Sequence, residues 1–529
     1  MAEPLPTMPT MPAIPAETLE ETISILERIV EDRTVMTLMS EDLRLRLLIA
    51  SGRISRPTRE EHRPTSKLFR KIVRERRQEH DRDVTATTSI RAARRDKVFV
   101  APARLVEASV IPESPVTEEA PRELEKARMC YVCKVEYTRL HFFYDALCAD
   151  CAKLNYEKRF QTTSLEGRVA LITGARIKIG FQAALMMLRA GARVLVTTRF
   201  PRDAAGRFAR EQDYERWKDR LGVFGLDLRH APSVETFARW LGQTESRLDI
   251  LINNAAQTVR RPAGFYSHML ANEQLAFRDV DAKIRPVLKG HEDIKSALAV
   301  EHRLDSGHHK ETELAGFVAW GGDGPGLGIR ASALLSQVPC AYDDDSRDAE
   351  MFPVGHADAD LQQVDLRETN SWRLTLGDVP SPEMLEVQLV NAVAPFILCS
   401  KLKPLMMRDR TNEKHIVNVS AMEGKFSRYT KTDRHPHTNM AKAALNMMTV
   451  TSAPDYAKDG IFMNAVDRGW VTDEDAAPLA QRKIDKHDFQ PPLDIVDGAA
   501  RICDPFFDGL ITGRHVYGKF LKDYASTEW

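Results

Sequence analysis

From Leu165 onward, short uninterrupted apolar runs alternate with longer stretches of helical periodicity. Residues 168–173 (RVALIT) read as a buried strand, 181–189 as a helix closed by Ala190-Gly191, and 192–198 (ARVLVTT) as a second strand. Residues 224–228 (FGLDL) and 249–253 (DILIN) continue the series. Apolar runs of this length, each followed by a helix, predict a parallel, doubly wound α/β sheet. A stretch at about 261–381 breaks the pattern. It resumes with a helix around Asn391, a strand at 415–420 (HIVNVS), a helix from Thr438 and a strand at 461–466 (IFMNAV).

Ahead of Leu165 the pattern differs. Leu19, Ile23, Leu26, Ile29 and Val30 recur at helix spacing, so residues 17–49 read as helical. Residues 53–97 are strongly basic and include LFRKIVRERR at 68–77. They carry no interleaved aromatics on which bases could stack, so a solvated helix face is preferred to a nucleic-acid surface. The first 16 residues are rich in Pro and Met and read as disordered, and 110–123 (VIPESPVTEEAPRE) reads as a linker. The expected organisation is a helical, basic N-terminal region with its linker over 1–120, a small module over 121–160, and a doubly wound domain with its insert over 161–529.

Charge and composition exclude more than they assign. With 75 Lys and Arg against 76 Asp and Glu, a nucleic-acid partner is not expected from global charge. The apolar fraction of 43% and the charged fraction of 29% suit an ordinary globular protein. No run approaches the roughly 18 apolar residues of a membrane span, and the N-terminus resembles neither a secretory signal nor a transit peptide. Seven cysteines in 529 residues do not form a disulfide scaffold, so a reducing, cytoplasmic setting is expected.

Four of those cysteines carry chemistry. Cys130, Cys133, Cys148 and Cys151 form C-x2-C-x14-C-x2-C, a spacing that places four thiolates around one tetrahedral Zn²⁺. A full set of protein ligands leaves no open position, which points to a structural metal. The segment NYEKRFQTTSLEGR follows directly, so the module is expected to pack on the start of the doubly wound domain.

The strand at 168–173 ends in a glycine turn, TGARIKIG, over residues 173–180. Between a strand and a helix, such a turn lets backbone amides approach a pyrophosphate. The turn, LINNAA at 251–256, Asn391, the strand ending in Ser420, and Lys442 with KAALNM behind it together resemble the short-chain dehydrogenase/reductase family. The resemblance runs from about residue 165 to the C-terminus outside the insert. It implies a nicotinamide cofactor held by Gly174, Arg176, Lys178, Ile179 and Gly180, with Asp227 and Leu228 flanking adenine and Asn253, Ala255 and Lys442 along the cofactor. Lys178 stands where the family has its middle glycine. After the second strand the sequence reads Thr197-Thr198-Arg199, with no acid for the ribose hydroxyls. The available guanidinium favours the 2′-phosphate of NADP over NAD.

The same resemblance implies an active site of Asn391, Ser420, a tyrosine and Lys442. Four residues before Lys442, where the tyrosine belongs, the chain has Thr438, whose hydroxyl is too weak an acid for proton transfer near neutrality. Tyr429, His435 and His437 lie in the lengthened segment between Ser420 and Lys442 and offer substitutes; Lys442 itself or a water offers another. Arg468-Gly469 stands where the family has Pro-Gly, and Thr472 lies near the family's amide-contacting threonine.

Asn253 and Asn391 lie much further apart than the roughly 25 residues a minimal unit needs, leaving about a hundred extra residues at the carboxyl edge of the sheet, where ligands bind. A lid or substrate-recognition subdomain is the leading expectation, with a surface elaboration or oligomer contact as the alternative. Two functions are therefore carried forward. One is an atypical NADP(H)-dependent oxidoreductase moving hydride between nicotinamide and a carbonyl or alcohol. The other is a nucleotide-binding pseudoenzyme that senses or scaffolds through its zinc and N-terminal modules. The family also implies assembly into homo-oligomers, and the N-terminal region offers a surface for a protein partner.

Overall fold

The structure is a computed structural model that describes residues 14–95, 123–305, 326–339, 350–358, 362–427 and 431–529. The first 13 residues, all of the 110–123 linker but its last residue, and Tyr429 lie outside the described residues.

The chain divides into two compact units, Met1–Glu79 and His80–Trp529. The first holds α1 (Ala16–Glu31), α2 (Glu41–Ser55) and most of α3 (Arg59–Ala86). The helical run expected over 17–49 is broken at Asp32, whose backbone turns extended and whose side chain accepts from the Thr34 amide to cap a short 3-10 turn. Ser40 then caps α2 by accepting from the Leu43 amide.

The second unit begins with the end of α3 and with α4 (Ser89–Ala93). The antiparallel pair β1 (Glu123–Met129) and β2 (Glu136–Arg139) and the helix α5 (Ala149–Phe160) carry the cysteine quartet. The first half of the main sheet follows: β3 (Val169–Thr173), α6 (Lys178–Arg189), β4 (Arg193–Thr198), α7 (Pro201–Phe208), α8 (Tyr214–Trp217), β5 (Leu221–Gly225), α9 (Ala231–Thr244) and β6 (Ile250–Asn253). The insert contributes α10 (Ala263–Glu273), α11 (Arg285–Asp305) and α12 (Leu327–Arg330). The second half adds α13 (Ser381–Gln388), α14 (Ala394–Met406), β7 (Lys414–Ser420), α15 (Pro436–Ala457), β8 (Ile461–Asp467), α16 (Ala477–His487), α17 (Ile495–Thr512), β9 (Phe520–Lys522) and β10 (Ala525–Thr527).

The eight strands lie in the order β5-β4-β3-β6-β7-β8-β9-β10, all parallel except β10, which turns back on β9. The expected parallel, doubly wound α/β fold is therefore present. Every residue of β3, β6 and β7 is buried, as strands covered on both faces require. One core layer joins the sheet to α6 and α17, the other joins it to α9 and α14. The strand expected at 224–228 is instead β5 over Leu221–Gly225. Leu226 still bonds the Thr198 carbonyl, but Asp227 leaves the sheet and bonds Gly328 of the insert.

Part of the insert lies away from the carboxyl edge of the sheet. Its helix α11 packs on edge strand β5, where buried His291 Nδ1 accepts from the Gly225 amide at 3.2 Å. Burial, with Lys295 and Arg202 nearby, pushes the His291 pKa down to about 3, so the ring is a neutral acceptor. This part of the insert shields an exposed strand edge. The continuous helical span Ser381–Met406 is, by length and a mean hydropathy of 1.4, apolar enough to cross a membrane, but 56% of that window is buried inside the protein.

Candidate functional site

The carboxyl ends of β3, β4, β6 and β7 open onto a cleft of about 350 Å³. One wall is the turn from β3 into α6. Gly174 sits at φ +69°, and a side chain there would meet Ala255 at 2.8 Å. A side chain at Gly180 would meet Asn254 Nδ2 and the Gly174 carbonyl, each at 2.4 Å. These two glycines let the turn close on the β6 end, and Asn254 ties it by donating to the Thr173 and Gly174 carbonyls at 3.0 Å each. Lys178 occupies the left-handed region at φ +56° in a place where glycine would sit without strain.

The cleft is cationic. Arg176, Lys178, Arg199, Arg229, Arg260, Arg261, Lys442 and Arg468 line it, against Asp227, Glu386, Glu423 and Glu474. This excess suits a polyanionic ligand. Several cations are held by acids: Arg176 by Asp203 at 2.7 Å, Arg229 by Asp227 and Glu386 at 2.7 Å each, Arg260 by Glu386 at 3.0 Å. Arg199, beyond the end of β4, donates instead to the Tyr266 hydroxyl at 2.7 Å and lies over its ring at 4.7 Å. Burial alone would raise the Tyr266 pKa, but Arg199 and Arg261 outweigh it and hold the phenol below its usual value.

At the other end stands Lys442, on α15, with its ammonium donating to the Val419 carbonyl at 2.7 Å. It is 5% exposed, and burial, reinforced by Arg468 and opposed by Glu423, lowers its pKa to about 7. Thr438 lies one helical turn earlier and also lines the cleft, and its buried hydroxyl has no hydrogen-bond partner among the described residues. The segment after β8 closes this end. Glu474 accepts from Thr472 Oγ1 at 3.0 Å, from Thr258 Oγ1 at 3.3 Å and from Arg468 at 3.4 Å. Burial opposes its charge, but Arg468 and Lys178 hold it ionised.

Of the residues singled out in the sequence, Gly174, Arg176, Lys178, Ile179, Gly180, Arg199, Asp227, Leu228, Ala255, Thr438 and Lys442 all line the cleft. Three do not. Asn253 is turned into the interior, donating to Asn418 Oδ1 at 2.8 Å, and its neighbour Asn254 faces the cleft in its place. Ser420 donates to Asn446 Oδ1 at 2.6 Å, 1% exposed, and the next residue, Ala421, lines the cleft with a methyl group. Asn391 sits in a π-helical turn (Leu389–Val393) and clamps the Gln257 backbone, accepting from its amide at 2.7 Å and donating to its carbonyl at 3.0 Å. Thr472 spends its hydroxyl on Glu474. His435 stacks on Trp372 at 3.8 Å, and buried His437 has Glu383 as its nearest acid at 3.7 Å; neither lines the cleft. Sequence reasoning missed Asn254, Tyr266, Ala421 and Glu474. The Asn-Asn doublet was a signal for the first; Tyr266 lies inside the insert with none.

The four cysteine sulfurs lie within 4.8 Å of one another, with Cys133 and Cys148 at 3.6 Å. Zn–S bonds of about 2.3 Å would put tetrahedral sulfurs about 3.8 Å apart, so the cluster has the dimensions of a metal site. Burial opposes ionisation of Cys130, but the amides of Cys148, Cys133 and Val132 outweigh it and bring the thiol down to about 7. His141 is no fifth ligand candidate, because its Nδ1 accepts from the Phe143 amide at 3.1 Å.

The chain matches the short chain dehydrogenase family over residues 168–278 and the Enoyl-(Acyl carrier protein) reductase family over 371–493. These matches put short-chain dehydrogenase-type sequence on both sides of the insert. An uncharacterized protein of Acanthamoeba polyphaga mimivirus is 28% identical over 396 residues, 72% of this chain and 71% of that protein. Dehydrogenase/reductase SDR family member 13 of Homo sapiens is 41% identical over 93 residues, 17% of this chain and 24% of that protein. Retinol dehydrogenase 14 of Mus musculus is 38% identical over 100 residues, 17% of this chain and 30% of that protein. Among solved structures, the Pseudomonas aeruginosa RhlG/NADP active-site complex is 16% identical with a TM-score of 0.39, covering 68% of this chain and 95% of that one.

Proposed function

We propose that this protein is a divergent short-chain dehydrogenase/reductase that binds NADP(H) and moves hydride between nicotinamide and a carbonyl or alcohol, with Lys442 taking the place of the absent phenol. The observation that carries this reading is the position of Lys442: buried, on the cleft, one turn from Thr438 and held near neutrality. A lysine of that acidity is matched to proton transfer at physiological pH. NADPH held at the glycine turn by Gly174 and Gly180 would supply hydride for a carbonyl carbon. The Lys442 ammonium gives its proton to the carbonyl oxygen, and the neutral amine left behind regains one from solvent. The phosphate end is supported by Gly174 and Gly180, and NADP over NAD by Arg199, held in place by Tyr266.

A second reading, binding without turnover, is favoured by Ala421, which puts a methyl group where a serine hydroxyl is expected, and by Thr438, which puts a weakly acidic aliphatic hydroxyl where a phenol is expected. The test follows NADPH absorbance with a panel of carbonyl substrates. The oxidoreductase reading expects consumption by the wild type and none by Lys442→Ala. If NADPH binds and is never consumed, and Thr438→Tyr alone creates turnover, the oxidoreductase reading is wrong and the binding reading stands.

The same proposal includes a structural Zn²⁺ held by Cys130, Cys133, Cys148 and Cys151. It is supported by the sulfur spacing and by the pairing of two C-x2-C knuckles.

A further inference from the structure

We infer that the four-cysteine metal site sets the geometry of the cofactor cleft, through a hydrogen bond to Trp470 and a second route that ends in packing against Gly469. The first starts inside the first cysteine knuckle. Tyr131 follows Cys130 directly, and its amide donates to the Ala146 carbonyl at 2.9 Å, beside the second knuckle. Its hydroxyl projects from the module and accepts from the Trp470 amide at 2.9 Å. The second route starts at Cys151, whose carbonyl accepts from Asn155 Nδ2 at 2.7 Å. Asn155 Oδ1 accepts from Arg501 at 2.6 Å. Arg501, fully buried on α17 and paired with Asp523 at 2.9 Å, lies against Gly469 together with Leu493.

What these routes hold is the segment that closes the cleft. Gly469 has φ +78° and lacks room for a side chain, since one would meet Leu493 at 2.5 Å. Arg468 precedes it, and Thr472 and Glu474 follow; all three line the cleft. The module itself cannot drift. Arg159 of α5 pairs with Asp494 at 2.7 Å and Asp497 at 2.8 Å, and Tyr144 donates to Asp497 at 2.5 Å, all within the capping box that starts α17. A tetrathiolate metal fixes both knuckles at once, and with them the Tyr131 hydroxyl; the Cys151 carbonyl lies on α5, which Arg159 also holds. Removing the metal frees the Tyr131 anchor of residues 469–474, while α5 with Asn155 stays held through Arg159 and the glycine turn at Gly174 and Gly180 stays in place.

The cofactor half of this inference rests on the nucleotide-binding reading above; the metal and loop half does not. The full-length protein is purified with Zn²⁺ as the only added metal. Bound zinc is counted, amide exchange at Trp470 is followed by mass spectrometry or NMR, and NADPH affinity is titrated. One Zn²⁺ per chain is expected. Tyr131→Phe keeps that zinc and the fold but loses exchange protection at Trp470 and weakens NADPH about ten-fold, the value of one hydrogen bond. Chelating the zinc from the wild type reproduces both effects, and returning Zn²⁺ reverses them. The inference is overturned if the protein holds no zinc, or if zinc-loaded Tyr131→Phe exchanges at Trp470 like the wild type. A wild type that shows the zinc and exchange effects but never binds NADPH overturns the nucleotide reading and the cofactor half, and leaves the metal-to-loop coupling standing.

Discussion

Replacing Lys442 by Met separates the cost of its buried charge from its chemistry. The ammonium is fully enclosed, and its pKa falls from 10.5 to about 7 on folding. The unfolded chain therefore binds one more proton than the folded one between pH 7 and 10.5, and stability rises with pH across that window. With 1.36 kcal/mol per pKa unit, the charge costs about 4 kcal/mol at pH 7 and about 2 kcal/mol at pH 9. Met fills the same space without a charge but leaves the Val419 carbonyl without its donor, a loss of about 1–3 kcal/mol that does not depend on pH. The quantity to measure is therefore a difference of differences. Urea unfolding of wild type and Lys442→Met is followed at pH 7 and pH 9, so that every other titrating group cancels. The wild type is expected to gain about 2 kcal/mol more than the variant between the two. Parallel stability profiles would refute the reasoning: Lys442 would then carry an ordinary amine, and its suitability for proton transfer near neutrality would be lost with it.

Two further outcomes test the cofactor end. Arg199→Ala removes a guanidinium held over Tyr266 beside the expected ribose phosphate; NADPH binding is expected to weaken about ten- to a hundred-fold with NADH unchanged, as loss of a charge-assisted hydrogen bond implies, read by parallel titrations of the two cofactors. Lys178→Gly removes a left-handed non-glycine residue from the phosphate turn; unfolding stability is expected to rise by about 1 kcal/mol while NADPH affinity falls through loss of the cation, and a drop in stability would show that the lysine is not strained there.

The architecture was legible because its signal is repeated. Each buried strand is a run of apolar residues, and each helix between them returns the chain to the same edge of the sheet. The cysteine quartet was legible because its ligands lie within 22 consecutive residues, 130–151, where spacing alone brings them together. The candidate site was legible only to within one residue. Asn253 ends β6 and Ser420 ends β7, and the two strands are neighbours in the sheet. In both cases the terminal strand residue is buried under the sheet and the next one, Asn254 or Ala421, faces the cleft. Sequence resemblance locates a strand end but not which of two consecutive side chains points outward, and a one-residue slip exchanges them. The slip matters chemically. With Ser420 committed to Asn446 and Ala421 in its place, the cleft has lost both the expected serine hydroxyl and the phenol, yet it keeps the lysine, the glycine turn and a surplus of cations. Loss of the phenol alone would leave a substrate-orienting serine waiting for another proton donor. On the proposed reading, loss of both would rest hydride chemistry on Lys442, because Thr438 is too weak an acid and, among the described residues, neither His435 nor His437 lines the cleft.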